Sequence, residues 1–160
     1  MGFQNRTNLD LPYAVAGDFA GSNPRASYPS GEGGHVAGAG GVTVARFAWI
    51  QADGKTVLNA DASAVPHGFI HREQQALITA FLGESTNLVP VGLPITVMRT
   101  GDYYVTATVG AATAGQKAFA KLTDGTMQAA AAGATVSGYV ETPFTITRGA
   151  LVGEVAVMTL

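Results

Sequence analysis

Apolar residues in this chain fall in short runs with the spacing of β-strands. The run VTVARFAWI, residues 42–50, carries apolar groups in both of its alternating sets: Val42, Val44, Ala48 and Ile50 in one, Ala45, Phe47 and Trp49 in the other. Successive strand residues point to opposite faces, so this run predicts a strand buried on two sides. Asp53-Gly54 follows and predicts a hairpin turn into KTVL. LPITVMRTGDYYVTATV, residues 93–109, is rich in β-branched and aromatic side chains and predicts a second hairpin, turning at Thr100-Gly101-Asp102. KAFAKLTDGTMQAA, residues 117–130, predicts a third at Asp124-Gly125. The tail GEVAVMTL alternates and reads as a final strand. The best helical stretch is REQQALITAFLGE, residues 72–84, which has good helix formers and ends near Gly83. Its later counterpart ETPFTIT contains Pro143 and β-branched residues, so both are read as strand.

That counterpart belongs to an internal echo. Phe47-Ala48, Asp53-Gly54 and Gly68-Phe69-Ile70 recur in order as Phe119-Ala120, Asp124-Gly125 and Gly138-Tyr139-Val140. Two related β units packed together are expected; chance reuse of common turn residues is the alternative. The chain as a whole reads as all-β, an antiparallel sandwich or barrel. Its first forty residues are punctuated by Pro and Gly. Residues 1–41 are therefore read as an extended arm with short strands at most, and residues 42–160 as a single β domain.

Composition narrows the function. At 160 residues one domain is expected. The absence of cysteine removes disulfides, thiolate metal sites and cysteine nucleophiles. Charged residues are 12% of the chain, half the usual share of about 25%. A surface so poor in charge suits either a protein covered by partners or a compact domain with a neutral exterior. The net charge of −2 argues against a phosphate-binding groove, so no nucleic-acid partner is expected. No apolar run is long enough to span a bilayer, and no membrane partner is expected. The start MGFQNRTNLDLPYAV reads as neither a secretory signal nor, with Arg6 at its sixth position, a myristoylation site.

Candidate chemistry is sparse. VPHGFIHREQQALIT holds His67, His71 and Glu73, but in an extended segment His67 and His71 lie about 13 Å apart, too far for one ion. His35, in the Gly-rich arm, is not expected near them. DGKT, residues 53–56, resembles the end of a P-loop, yet Trp49 stands where that motif needs glycine and no helix follows. GEGGHVAGAGG could cradle an anion, though a loop that orders against a neighbour is the simpler reading. No GxSxG elbow occurs, and the glutamates are scattered. No catalytic residue, metal site or cofactor is assigned, and the protein is not read as an enzyme. Phe3, Tyr13, Phe19 and Tyr28 lie in the arm. Each is either an anchor for a partner's pocket or a ring that folds back onto its own domain.

GDFAGSNPRAS, GAGGVTVARFAWI, GFIHREQQALIT, GQKAFAKLTDGT and AAAAGATVSGYVETPF, taken in order, resemble the structural cement proteins of tailed bacteriophages, which are capsid decoration proteins. The resemblance runs through nearly the whole chain. It implies a β-barrel or jelly-roll-like sandwich with no catalytic role. It also implies a homo-oligomer on the outer surface of a virion, bound to a major capsid protein of HK97-like fold across seams between capsomers. No capsid-contact residue carries over. A carbohydrate-binding β module is the alternative, with Trp49 or Tyr103-Tyr104 as its aromatic platform. A small hydrolase built on His71 and Glu73 is a weaker one.

Overall fold

The computed structural model describes residues 14–62, 64–73 and 86–160, and every regular element among them is a β-strand. Strands are numbered along the chain. One sheet runs, in spatial order, β1 (Ala26–Ser27), β8 (Val97–Thr100), β6 (Gly68–Ile70), β4 (Phe47–Ile50), β5 (Thr56–Leu58) and β2 (Val36–Ala37). A second runs β11 (Met127–Ala130), β10 (Lys117–Lys121), β12 (Tyr139–Arg148), β13 (Val155–Thr159) and β9 (Asp102–Thr106). β3 (Val42–Thr43) and β7 (Leu88–Val89) form a small third ladder. Neither large sheet closes on itself, so of the two architectures expected the chain adopts the sandwich.

Burial sorts the strands by face. Phe47 and Trp49 of β4, Phe69 of β6 and Met98 of β8 pack with Tyr103, Val105, Phe144, Ile146 and Met158 of the five-stranded sheet. Ala48, Ile70 and Val97, the neighbours that point the other way, pack instead with Ala37, Val42, Val44, Val57, Val89 and Ile95. The six-stranded sheet is thus the middle layer of three, and the two apolar sets of residues 42–50 are explained by a core on each side. In the five-stranded sheet β9 and β13 alternate strictly, with Tyr103, Val105, Ala156 and Met158 buried and their neighbours half-exposed.

The strand expected over residues 42–50 is broken in the middle. Ala45 has φ of 62°, a left-handed conformation uncommon for a residue with a Cβ. The displaced amides are still satisfied: Val44 N–H donates to Asn87 O at 2.8 Å and Ala45 N–H to Ile70 O at 2.8 Å. The Asp53-Gly54 hairpin forms between β4 and β5, and the Asp124-Gly125 hairpin between β10 and β11. The hairpin expected at Thr100-Gly101-Asp102 does not form. β8 belongs to one sheet and β9 to the other, and Gly101, at φ 130°, is the corner where the chain changes layer. Gly101 exchanges two backbone hydrogen bonds with Leu160, so the end of β13 is stitched to that corner.

The echo has a topological counterpart. The order β5-β4-β6-β8 recurs as β11-β10-β12-β13, antiparallel throughout. Registers differ: Phe47 faces Phe69, whereas Phe119 faces Glu141, two residues beyond Tyr139. Pro143 occupies a central strand, where its missing N–H is normally excluded. The register of β10 against β12 shifts at that point, between Lys117 and Phe119. Thr142 Oγ donates to Ala118 O at 2.7 Å and Lys117 Nζ to Pro143 O at 2.8 Å, replacing ladder bonds with side-chain ones.

The described part of the arm lies on the sandwich. β1 pairs with β8, β2 pairs in parallel with β5, and Gly17 and Ala20 donate to Tyr104 O and Asp102 O along β9. Most of the stretch expected as a strand over residues 72–84 lies outside the described residues.

Candidate functional site

Arm and domain meet around His71. The chain leaves β6 at Ile70, and Arg72 N–H donates to Gly17 O at 2.8 Å, so residues 71–73 are tied to the start of the arm. Phe19 lies 4.8 Å from the His71 ring and 5.6 Å from the Tyr103 ring, with the Arg25 guanidinium 3.9 Å above its face. That is cation–π geometry within the arm. Asp18 and Arg72 face each other at 3.9 Å. His71 Nε2 sits 3.0 Å from Glu73 Oε1, while its Nδ1 and the Arg72 Nε are buried without a hydrogen-bond partner among the described residues. Burial lowers the His71 pKa; Glu73 opposes that shift and Arg25 adds to it.

Tyr28 anchors the next stretch. Its N–H donates to Val97 O at 2.7 Å, and its ring meets His67 edge-on at 5.4 Å. Of the four arm aromatics, Phe19 and Tyr28 therefore have partners within their own chain; Phe3 and Tyr13 lie outside the described residues. His67 Nδ1 accepts from Ile50 N–H at 3.1 Å. One expectation is corrected here. His35, placed by sequence in a separate arm, is buried beside His67, and burial followed by the charge of His67 lowers its pKa. The parallel β2–β5 pairing brings it there. His67 and His71 have unlike surroundings, a backbone amide and Tyr28 for the first, Glu73 and Phe19 for the second. No group of three metal-binding side chains assembles among the described residues.

The other candidate chemistries resolve into structure. Asp53 accepts from the backbone N–H of Lys55 and Thr56 and from the Thr56 hydroxyl. The Thr56 hydroxyl and then those two amides hold its pKa down to about 2. The DGKT stretch is thus a turn whose aspartate is committed to its own backbone. Trp49 and Tyr103, two of the three rings of a possible glycan platform, are fully buried in the core between the sheets. The cavity beside His71 and Glu73 measures about 10 Å³, room for at most one water.

Part of the exposed surface is apolar. The loops around Val109 and Leu151-Val152 run side by side, joined by the Ala112–Ala150 bridge and by Gly153 N–H donating to Ala107 O at 2.8 Å. Val109, Leu151 and Val152 are 49%, 65% and 59% exposed, an apolar tip that sequence patterning does not flag. Short loops hide it, because exposure there depends on which loops the fold brings together.

Comparison with known proteins supplies the class to which this sandwich belongs. The fold is shared with a chain in the solved structure "The capsid of Myoviridae Phage XM1", at a TM-score of 0.66 and 19% identity over 99% of this chain and 97% of that one. No curated protein matches. The family model described as XM1 gp53 minor capsid protein matches residues 3–160, and the chain belongs to that family. It is a phage structural protein associated with the capsid of the virion. The resemblance read from the sequence pointed to that same class.

Proposed function

We propose that this protein is a capsid cement, or decoration, protein. It binds the outer surface of a phage head as a homo-oligomer and bridges capsomers of a major capsid protein with an HK97-like fold, without catalysing a reaction. Membership of a minor capsid protein family over residues 3–160 carries this reading. The physical features support it. A chain with 12% charged residues suits a surface shared with neighbours. The apolar tip at Val109, Leu151 and Val152 offers contact area that a free monomer has no use for. Weak contacts repeated over a closed shell sum to a large stabilisation.

The test is co-sedimentation of the purified protein with undecorated heads of its phage, before and after shell expansion. Saturable binding to expanded heads is expected. Absence of binding to both forms would overturn the proposal.

A further inference from the structure

Beside the edge strand β1 lies a cavity of about 270 Å³ whose polar lining the fold leaves unused. His35 lines it and is only 4% exposed. Its ring nitrogens hydrogen-bond to no described residue, yet, unlike His71 Nδ1, they are not sealed off. Burial, and then the charge of His67, lowers the His35 pKa, so the neutral ring offers one donor and one acceptor. Ser27, Tyr28, Ser30 and Thr96 join it, and their hydroxyls also hydrogen-bond to no described residue. None of the described lining residues carries a formal charge. In two other cavities the fold uses such groups itself: Thr142 Oγ donates to Ala118 O, and Thr108 Oγ to Met127 O.

The walls are fixed in place. Tyr28 N–H donates to Val97 O at 2.7 Å and Ile95 N–H to His35 O at 3.0 Å, so residues 28–35 are fastened at both ends to residues 95–97. A ligand entering a cavity braced this way orders little that is not already ordered. The lining selects its chemistry. Phosphates, carboxylates and amines find no opposite charge in it. A hydroxyl both donates and accepts, as the imidazole and the four hydroxyls require. Pro94, Ile95 and the ring of Tyr28 add apolar surface for the C–H groups of such a ligand. The volume stands at the small end of ligand pockets, which begin near about 300 Å³. We infer that this cavity binds one neutral sugar unit, held by His35 and the hydroxyls of Ser27, Ser30 and Thr96. Trp49 and Tyr103, buried in the core, take no part. The inference goes beyond the capsid role proposed above and does not depend on it.

Amide NMR of the isotope-labelled full-length chain tests it, with glucose, galactose, mannose and N-acetylglucosamine as probes. Each is titrated to about 50 mM, enough to fill a site of millimolar affinity. At least one sugar is expected to move the signals of residues 27–35 and 94–96, and to saturate. Thr96→Val removes a hydroxyl and keeps the shape, and should weaken that sugar about tenfold. His35→Phe keeps a ring without its nitrogens and should abolish binding; if it fails to fold, Thr96→Val decides. No movement with any of the four, movement only elsewhere, or an unaffected Thr96→Val would overturn the inference. So would equal movement with glycerol, which would reduce the cavity to a wet polar surface. Methyl glycosides separate the sources: a site that accepts them takes the end of a glycan, and one that refuses them takes the free sugar. Head binding is read separately, so a chain that binds heads but no sugar keeps the function above and loses this site.

Discussion

The two large sheets repeat one strand order and solve different packing problems. The six-stranded sheet is covered on both faces: Phe47, Phe69 and Met98 go to one core, Ala48, Ile70 and Val97 to the other. In the five-stranded sheet β9 and β13 bury Tyr103, Val105, Ala156 and Met158 and leave their alternate positions half-exposed, and only β10 buries neighbours on both faces, at Ala118, Phe119 and Ala120. Their hairpins diverge as well. Gly54 closes its turn in open space, whereas the Asp124-Gly125 turn is pressed onto β4 of the other sheet. Phe47 N–H donates to Gly125 O at 2.8 Å, and Arg46 reaches Asp124 O at 3.3 Å. One copy of the turn only reverses the chain; the other also fastens two sheets together.

The sharpest way to break this comparison is to substitute the two glycines. Both are left-handed, at φ 67° and 70°. A Cβ on Gly54 meets nothing, while one on Gly125 would lie 2.2 Å from the Phe47 carbonyl oxygen. Gly54→Ala should cost about 1 kcal/mol, the strain of the conformation alone. Gly125→Ala should cost at least about 3 kcal/mol, because the hairpin must leave its seat. Urea unfolding of the two variants measures the gap, and equal losses would mean that the second hairpin does not join the sheets.

Truncating side chains addresses the two faces. Ile70→Ala, in the outer core of the middle layer, should lose about 3 kcal/mol. Val157→Ala, on the half-exposed face of β13, should lose less than about 1 kcal/mol. A comparable loss at Val157 would show that its face is covered.

The division between sheets was largely legible in sequence, and for a physical reason. Two-sided burial needs apolar residues in both alternating sets, as in residues 42–50, and one-sided burial needs only one set, as in Asp102–Thr106, where Tyr103 and Val105 alternate with Asp102, Tyr104 and Thr106. Asp-Gly turns announce themselves through their left-handed glycine. Thr100-Gly101-Asp102 misleads because turn chemistry is local: it says that the chain bends, not whether it returns to the same sheet. The break at Ala45 is silent, since alanine has no preference for positive φ and tertiary bonds to Asn87 and Ile70 impose it. Two-residue strands such as β1 and β2 are too short to show a period, so the docking of the arm, and with it His35 beside His67, leaves no trace in the pattern. The candidate site was less legible than the fold. Aromatic rings in the arm can be found by composition, but the rings they meet lie 39 to 84 positions away.

Acid and alkali should probe different parts of the molecule, with smaller effects. Burial, opposed by Arg25 and reinforced by Asp102, pushes the Tyr103 pKa from its ordinary value of about 10 up to about 12. A group raised this way keeps its full contribution below pH 10 and loses it as pH climbs through 12. Alkaline unfolding should therefore begin in the five-stranded sheet, and Tyr103→Phe should flatten stability between pH 10 and 12. His71 and His35 are shifted down from 6.5, chiefly by burial. Their contribution is complete above pH 6.5 and is lost as pH falls below it. His71→Gln should flatten the acid limb in thermal unfolding. An unchanged limb would mean that the joint between His71 and Phe19 opens without unfolding the sheets.

The closure of the five-stranded sheet by β13 sets an order of assembly. β9 pairs with β13 from Asp102–Thr159 to Val155–Thr106, and residues 107–154 intervene. A nascent chain carries β9 long before its ladder partner exists, holding it only against residues 17–20 that were made earlier. Such distant pairings place folding in the millisecond-to-second range of β-rich domains. Until the last strand inserts, β9 and β12 each present a bare edge to any neighbouring chain. Crowded synthesis is therefore the moment at which this protein is most exposed to mispairing, and a chain stopped short of residue 155 would remain in that state.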